Sequence, residues 1–421
     1  MSTIKKTTLD NGLRIITDYV PSVESAAVGI WTGVGTRDEE LKDNGVAHMV
    51  EHMLFKGTEK RSASQIAKEI EFVGGSMNAY TSREMTSYHI HLLKDHTDLA
   101  LDVLSDMYLN STFPEEEIER ERHVILQEIG MCNDTPDDVI FDLHFETAYP
   151  DQPFGAPILG KAERIASMER DTLVNYVDSH YHAGNTVISV SGNIDHDAFA
   201  EKAAELFSEI KATPQAKTIS PASYAGGEMR MNRELEQSHF ILGFKGFGRL
   251  SDDYYAAQTL SSILGSGMSS RLFQEVREKR GLVYSIFSYH SGYQDCGQFG
   301  IYAGTGPDKL GEIFPVICNE IQRISEDVSE DELARVKAQL KSSLLMGRES
   351  MMNRADMHAK HCLFRGDVLD VETLKDRINS VNLNDIKRVA KVMFAGKPTL
   401  SALGPLDELE SYEQIHARLA A

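Results

Sequence analysis

The residues best placed to do chemistry are His48, Glu51 and His52, within the run His48-Met49-Val50-Glu51-His52. On a helix, side chains three and four apart share one face, so all three converge on one point. Two imidazoles four apart can grip one zinc ion, and the carboxylate between them can take a proton from a water on that ion. Asn44-Gly45 reads as the helix start and Lys56-Gly57-Thr58 as its end. The plain alternative is a helix that holds two histidines and a glutamate by chance.

A catalytic zinc ion takes a third protein ligand and leaves its fourth place to water. The segment Pro114 to Glu128 reads as a helix, with proline at its start and acids in its first turn. Glu121 and Glu128 lie two turns apart on one stripe. Glu128 is the candidate ligand. Glu121 would hold a histidine ring or the base by a hydrogen bond from behind. The other glutamates there read as a solvated face. His123 is out of phase and reads as structural.

These residues need a scaffold, and the chain is long enough to build one. Its 421 residues exceed a single core, and 41% hydrophobic with 25% charged residues is ordinary for a globular protein. No apolar run of 18 residues marks a membrane span. The first residues lack the apolar stretch of a secretion signal. A net charge of -21 argues against nucleic acid and suits basic peptides. Cys132, Cys296, Cys318 and Cys362 are scattered, which predicts free thiols in a reducing compartment.

Residues 214–227 are rich in Pro, Ser, Thr, Ala and Gly and read as a linker. Strands and helices alternate on each side. Before the linker, the patterns predict strands over 25–33, 77–93 and 186–191. Helices are predicted after Ser62, over 96–110 and over 195–210. After the linker they predict strands over 238–244 and 299–303, and helices over 253–264 and 309–324. The two sides look like copies. Phe113-Pro114-Glu115-Glu116-Glu117-Ile118 matches Val328-Ser329-Glu330-Asp331-Glu332-Leu333 in pattern. In that register Glu121 falls opposite Val336 and Glu128 opposite Ser343. One copy thus carries metal ligands and the other has lost them.

His48-x-x-Glu51-His52 followed by Glu121 and Glu128 resembles the inverted-motif zinc peptidases of the pitrilysin, insulysin and mitochondrial processing peptidase family. The β subunit of the processing peptidase and its bacterial relatives are the nearest in likeness. Leu9-Asp10-Asn11-Gly12-Leu13 resembles the family's opening hairpin, and the run from Gly75 to Glu84 its substrate-edge strand. Asp134-Thr135-Pro136-Asp137-Asp138, the run Gly267 to Phe273 and the run Arg277 to Tyr284 agree in order.

The resemblance implies an α+β fold of two homologous halves, each a mostly antiparallel sheet with helices packed on it, enclosing a chamber. Residues 1–213 would be the zinc-binding domain and 228–421 a degenerate copy that completes the site. It implies one Zn2+ per chain held by His48, His52 and Glu128, with Glu51 as base and Glu121 behind a ligand. Tyr284 would donate to the oxyanion and Arg277 would hold the peptide backbone. Asn78 and Ala79 would bind substrate as an added strand, which requires an extended peptide. Phe55 would line the pocket for a bulky apolar residue just after the cut. Asp138 and Asp142, four apart on a helix started by Pro136, would receive an arginine before it. Taken singly, these acids are a solvated face, Phe55 is core, Tyr284 is packed and Arg277 is surface.

The implied function is a zinc endopeptidase for basic or presequence-like peptides, working as a homodimer in a bacterial-type cytoplasm. The mitochondrial matrix is the alternative if a transit peptide has been removed. Other members are non-catalytic core subunits, or active subunits of a heterodimer. The intact zinc set argues against the first. The presence of Arg277 and Tyr284 in the same chain makes a homodimer simpler than the second. Gly265-Ser266-Gly267 is much shorter than the glycine-rich loop of the non-catalytic processing partner. His89 and His91, His180 and His182, and His358 and His361 have ligand-like spacing but no ordered acidic partner, and read as structural.

Overall fold

The computed structural model describes residues 3–212 and 221–420, so positions 214–220 of the expected linker lie outside the described residues. Six strands form the first sheet: β1 (Thr3–Thr8), β2 (Arg14–Tyr19), β3 (Ser25–Thr32), β4 (Ser76–Thr81), β5 (Thr86–Leu93) and β6 (Thr186–Gly192). Their spatial order is β1-β2-β6-β3-β5-β4. Five more form the second: β7 (Gly227–Asn232), β8 (Ser238–Gly246), β9 (Ser285–Gly292), β10 (Gly297–Thr305) and β11 (Thr399–Gly404), in the order β7-β11-β8-β10-β9. Pairing is antiparallel except for β2 with β6 and β11 with β7. The two sheets therefore repeat one plan, with β1 as an addition to the first. The fold is α+β, as the resemblance implied.

The middle strands are apolar on both faces because both faces are covered. In β3, Val28 and Ile30 point into one core and Ala27 and Trp31 into another, as a two-residue period requires. The first core packs the sheet on α1 (Val46–Leu54), α2 (Ala63–Phe72) and α3 (Thr97–Asn110). Ser62 and Gln65 close a capping box at the start of α2. The predicted strand over 77–93 is in fact a hairpin. Ser82 N donates to Met85 O at 2.8 Å, and the polar run Ser82-Arg83-Glu84 makes the turn that splits β4 from β5.

Beyond α3 come α4 (Glu115–Asn133) and α5 (Pro136–Ala148). The chain divides into two compact units. One comprises Met1–Gly130, Ala156–Ile219 and Leu345–Leu369, and the other Met131–Gly155, Ser220–Leu344 and Asp370–Ala421. Each unit thus includes a helix from across the mid-chain segment. In the first, the helix Met351–Arg365 lays Ala355, Ala359 and Cys362 on Trp31, Ala27 and Val187. In the second, α5 lays Val139, Ile140 and Leu143 on Ile241, Tyr302 and Leu403.

Burial there is accompanied by charge. Asp18 of β2 is fully buried, and its Oδ2 accepts from Arg354 Nη1 at 2.7 Å and lies 2.9 Å from His358 Nε2. Burial pushes the Asp18 carboxyl up, but His358 and Arg354 outweigh it and hold the group below its ordinary value. No helix among the described residues is long and apolar enough to cross a membrane.

Candidate active site

Helix α1 begins where only glycine fits. Gly45 takes φ 97°, and a Cβ there would meet Ile165 Cδ1 at 2.6 Å and Gly160 Cα at 2.8 Å. The helix buries Val46, Met49, Val50 and Met53 in the first core, which leaves His48, Glu51 and His52 on the remaining face. Its free N–H groups are met by Glu39. One carboxyl oxygen accepts from Ala47 N at 2.9 Å, and the other from Gly45 N at 3.0 Å and Asn44 Nδ2 at 2.9 Å. Complete burial pushes this carboxyl up to about 8, against the pull of those donors.

Helix α4 brings Glu128, the third candidate ligand. His48 Nε2 and His52 Nε2 lie 3.8 and 3.7 Å from Glu128 Oε2. The three ligand atoms all fall within 4.8 Å of one another, and no other such group occurs among the described residues. A tetrahedral ion with bonds of about 2.1 Å spaces its ligands about 3.4 Å apart, so this donor set fits zinc with little movement. Burial, then the neighbouring His52, lowers His48 to about 4, which leaves the neutral ring that a metal requires.

Behind His52, its Nδ1 lies 2.9 Å from Glu121 Oε2, and Glu121 Oε1 lies 2.6 Å from Lys56 Nζ. Burial alone would raise Glu121, but His52 and Lys56 hold it ionised, below its ordinary value. Burial likewise lowers His52, and Glu121 with Glu128 more than reverses this. Glu51 is raised, chiefly by burial. The Thr81 hydroxyl on β4 and then the neighbouring His52 pull it the other way.

The remaining expected residues fall as follows. Asn78 and Ala79 lie on β4, which among the described residues pairs only with β5 and stands at the edge of its sheet. Asn78 is exposed and Ala79 half-buried. Phe55 is half-buried, 6.2 Å from the Tyr88 ring. In the other unit the Arg277 guanidinium sits 4.7 Å from the Phe273 ring centre and 5.5 Å from that of Tyr284. Tyr284 is 76% exposed, an unusual state for a packed tyrosine. On α5, Asp138 is exposed and Asp142 half-buried. Their neighbour Asp137 anchors the helix start, accepting from Tyr302 at 2.8 Å with His239 at 3.1 Å.

The other histidine pairs gather no metal-holding group among the described residues. His89 Nδ1 lies 3.1 Å from Ser87 Oγ, His180 packs against Tyr176, and His358 pairs with Asp18. Where the second copy aligns with Glu121, Val336 is buried in an apolar core. Sequence reasoning missed Glu39 and Lys56. Glu39 precedes its helix by too many residues to match a capping pattern. Lys56 shows in the sequence only as a cation after a helix.

Comparison with known proteins gives a consistent picture. A family model described as Insulinase (Peptidase family M16) matches residues 14–162, and one described as Peptidase M16 inactive domain matches 167–340. A Rickettsia felis protein named as an uncharacterized zinc protease is 41% identical, over 95% of this chain and 97% of its own. One of the same description from Bacillus subtilis is 37% identical, over 97% of this chain and 100% of its own. A probable mitochondrial-processing peptidase subunit beta from Arabidopsis thaliana is 35% identical, over 98% of this chain and 80% of its own. Among solved structures, a protease from Helicobacter pylori superposes with a TM-score of 0.90 at 24% identity, covering 96% of this chain and all of that one.

Proposed function

The chain belongs to peptidase family M16, and on that premise we propose that it is a zinc-dependent endopeptidase for extended, basic peptides. The observation that carries this reading is the convergence of His48, His52 and Glu128, with Glu51 beside them on the same helix face. When bound, zinc would supply Lewis acidity, lowering the pKa of a water to about 7 and polarising the scissile carbonyl. Glu51 takes the proton of the attacking water and passes it to the leaving amine. Glu121 keeps the His52 ring aimed. Tyr284 donates a hydrogen bond to the developing oxyanion, and Arg277 holds the peptide backbone. The free edge of β4, at Asn78 and Ala79, pairs with the substrate as an added strand. That mode reads backbone and so selects unfolded segments.

The finer readings follow from the same residues. Phe55 borders the pocket just after the cut bond, and Asp138 with Asp142 receives an arginine before it. One chain carries both the zinc set and the Arg277/Tyr284 pair, which favours a homodimer in a bacterial-type cytoplasm. Zinc analysis of the purified protein, with cleavage of a mixed peptide library before and after chelation, tests the whole. The expected result is about one zinc per chain and cleavage that stops on chelation and returns with zinc. Protein that holds zinc and cuts nothing would instead make this a non-catalytic subunit.

A further inference from the structure

The hydrogen bonds around the candidate metal ligands are unequal. His48 Nδ1 is buried with no partner, whereas His52 Nδ1 meets Glu121 at 2.9 Å. An ionised carboxylate only accepts, so Nδ1 must donate and Nε2 keeps its lone pair for a metal. The orientation of His52 therefore hangs on Glu121. Glu121 in turn has both oxygens engaged, one by His52 and the other by Lys56 Nζ at 2.6 Å. The Glu121 side chain is 7% exposed and that of Lys56 26%, so water is a poor substitute for either bond. Lys56 lies two residues past the end of α1 and reaches Glu121 on α4, tying together the two helices that carry His48, His52 and Glu128.

We propose that Lys56 is a positioning residue of the metal centre. It pins Glu121, and through Glu121 the His52 ring, and it keeps the second Glu121 oxygen from turning toward the ion. The inference rests on the zinc reading of His48, His52 and Glu128. Three carboxylates, Glu51, Glu121 and Glu128, stand around two imidazoles there. Glu128 is the ligand and Glu51 the base, and of the three only Glu121 is paired with a lysine that holds it out of the coordination shell.

A cation acting only through its charge would have the opposite effect. It would repel zinc, and its removal would tighten binding. The sign of the change therefore separates positioning from bulk electrostatics. The measurement is the zinc dissociation constant, by competition with a fluorescent zinc indicator, for wild type, Lys56→Met, Lys56→Arg, Glu121→Gln and the Lys56→Met/Glu121→Gln double variant. Circular dichroism and melting of the metal-free proteins accompany it. Losing an outer partner of a ligand weakens binding about 10–100-fold, and that is expected of Lys56→Met. Lys56→Arg should stay near wild type, and Lys56→Met should add little once Glu121 is already Gln. Should Lys56→Met fail to fold, Lys56→Gln is expected to show the same loss. Binding as tight as wild type or tighter in the folded Met or Gln variant overturns the proposal. So does an equal loss with and without Glu121. Wild-type protein that takes up no zinc would instead sink the metal reading itself.

Discussion

Glu51 and Glu128 are the same side chain in different surroundings, and the proposed function gives them different work. Glu128 lies within metal-sharing distance of two imidazoles, and Glu51 is raised by burial beside the Thr81 hydroxyl. Glu51→Gln should accordingly keep zinc and lose turnover by about 10²–10⁴-fold, since it removes a base and leaves the ligands. Glu128→Gln should lose the metal. Elemental analysis beside a peptide assay separates the two, and a zinc-free Glu51→Gln would remove the distinction. Tyr284→Phe should lower kcat about 10²–10³-fold with zinc retained, and a wild-type rate would return that tyrosine to a structural role. His48, Glu51 and His52 were legible in the sequence because their spacing is local and the helix converts it directly into geometry. Glu128 was legible through a second helical spacing. Lys56 and Glu39 were not, because what each bonds is set by tertiary folding and leaves no period in the chain.

Helix α5 offers a test at the scale of an element. Asp137 ties its first turn to the sheet, and the proposed arginine site uses Asp138 and Asp142 one turn apart. Peptides with arginine before the cut should show higher kcat/KM than those with alanine. Asp138→Asn/Asp142→Asn should abolish that preference and leave the alanine peptide unchanged. A preference that survives the double substitution locates specificity elsewhere. The helix Met351–Arg365 gives a stability prediction. Asp18 titrates below its ordinary 3.8 when folded, so its contribution is complete above about pH 4 and is lost as pH falls further. Asp18→Asn should destabilise the fold near neutral pH by up to about 3 kcal/mol, because it removes the buried partner of the half-buried Arg354 and of His358, and should flatten the acid limb of the unfolding curve. An acid limb identical to wild type would show that other carboxylates set it. Strand positions were readable from their apolar runs, but the β4–β5 turn was not. Its residues, Ser82-Arg83-Glu84, lack the glycine or proline that usually marks a turn, and their bonds replace that signal.

At the scale of the whole molecule, the charge of -21 bears on substrate capture. A strongly basic peptide should show a KM that rises with salt, while a neutral peptide of equal length should not. Equal salt dependence for both would confine charge recognition to the site itself. The repeated sheet plan places metal ligands in one copy and Val336 in the other, and the same division recurs in how the chain is assembled. The first sheet has all its strands once Gly192 is made, yet the helix that covers its Trp31 face begins only at Met351. At about 5–20 residues per second, a chain on the ribosome waits on the order of ten seconds or more for that cover. Throughout the wait Ala27, Trp31 and Val187 present an apolar sheet face to the cell. A message truncated before Met351 would yield a product that keeps His48, His52 and Glu128 and leaves the Trp31 face of its sheet uncovered.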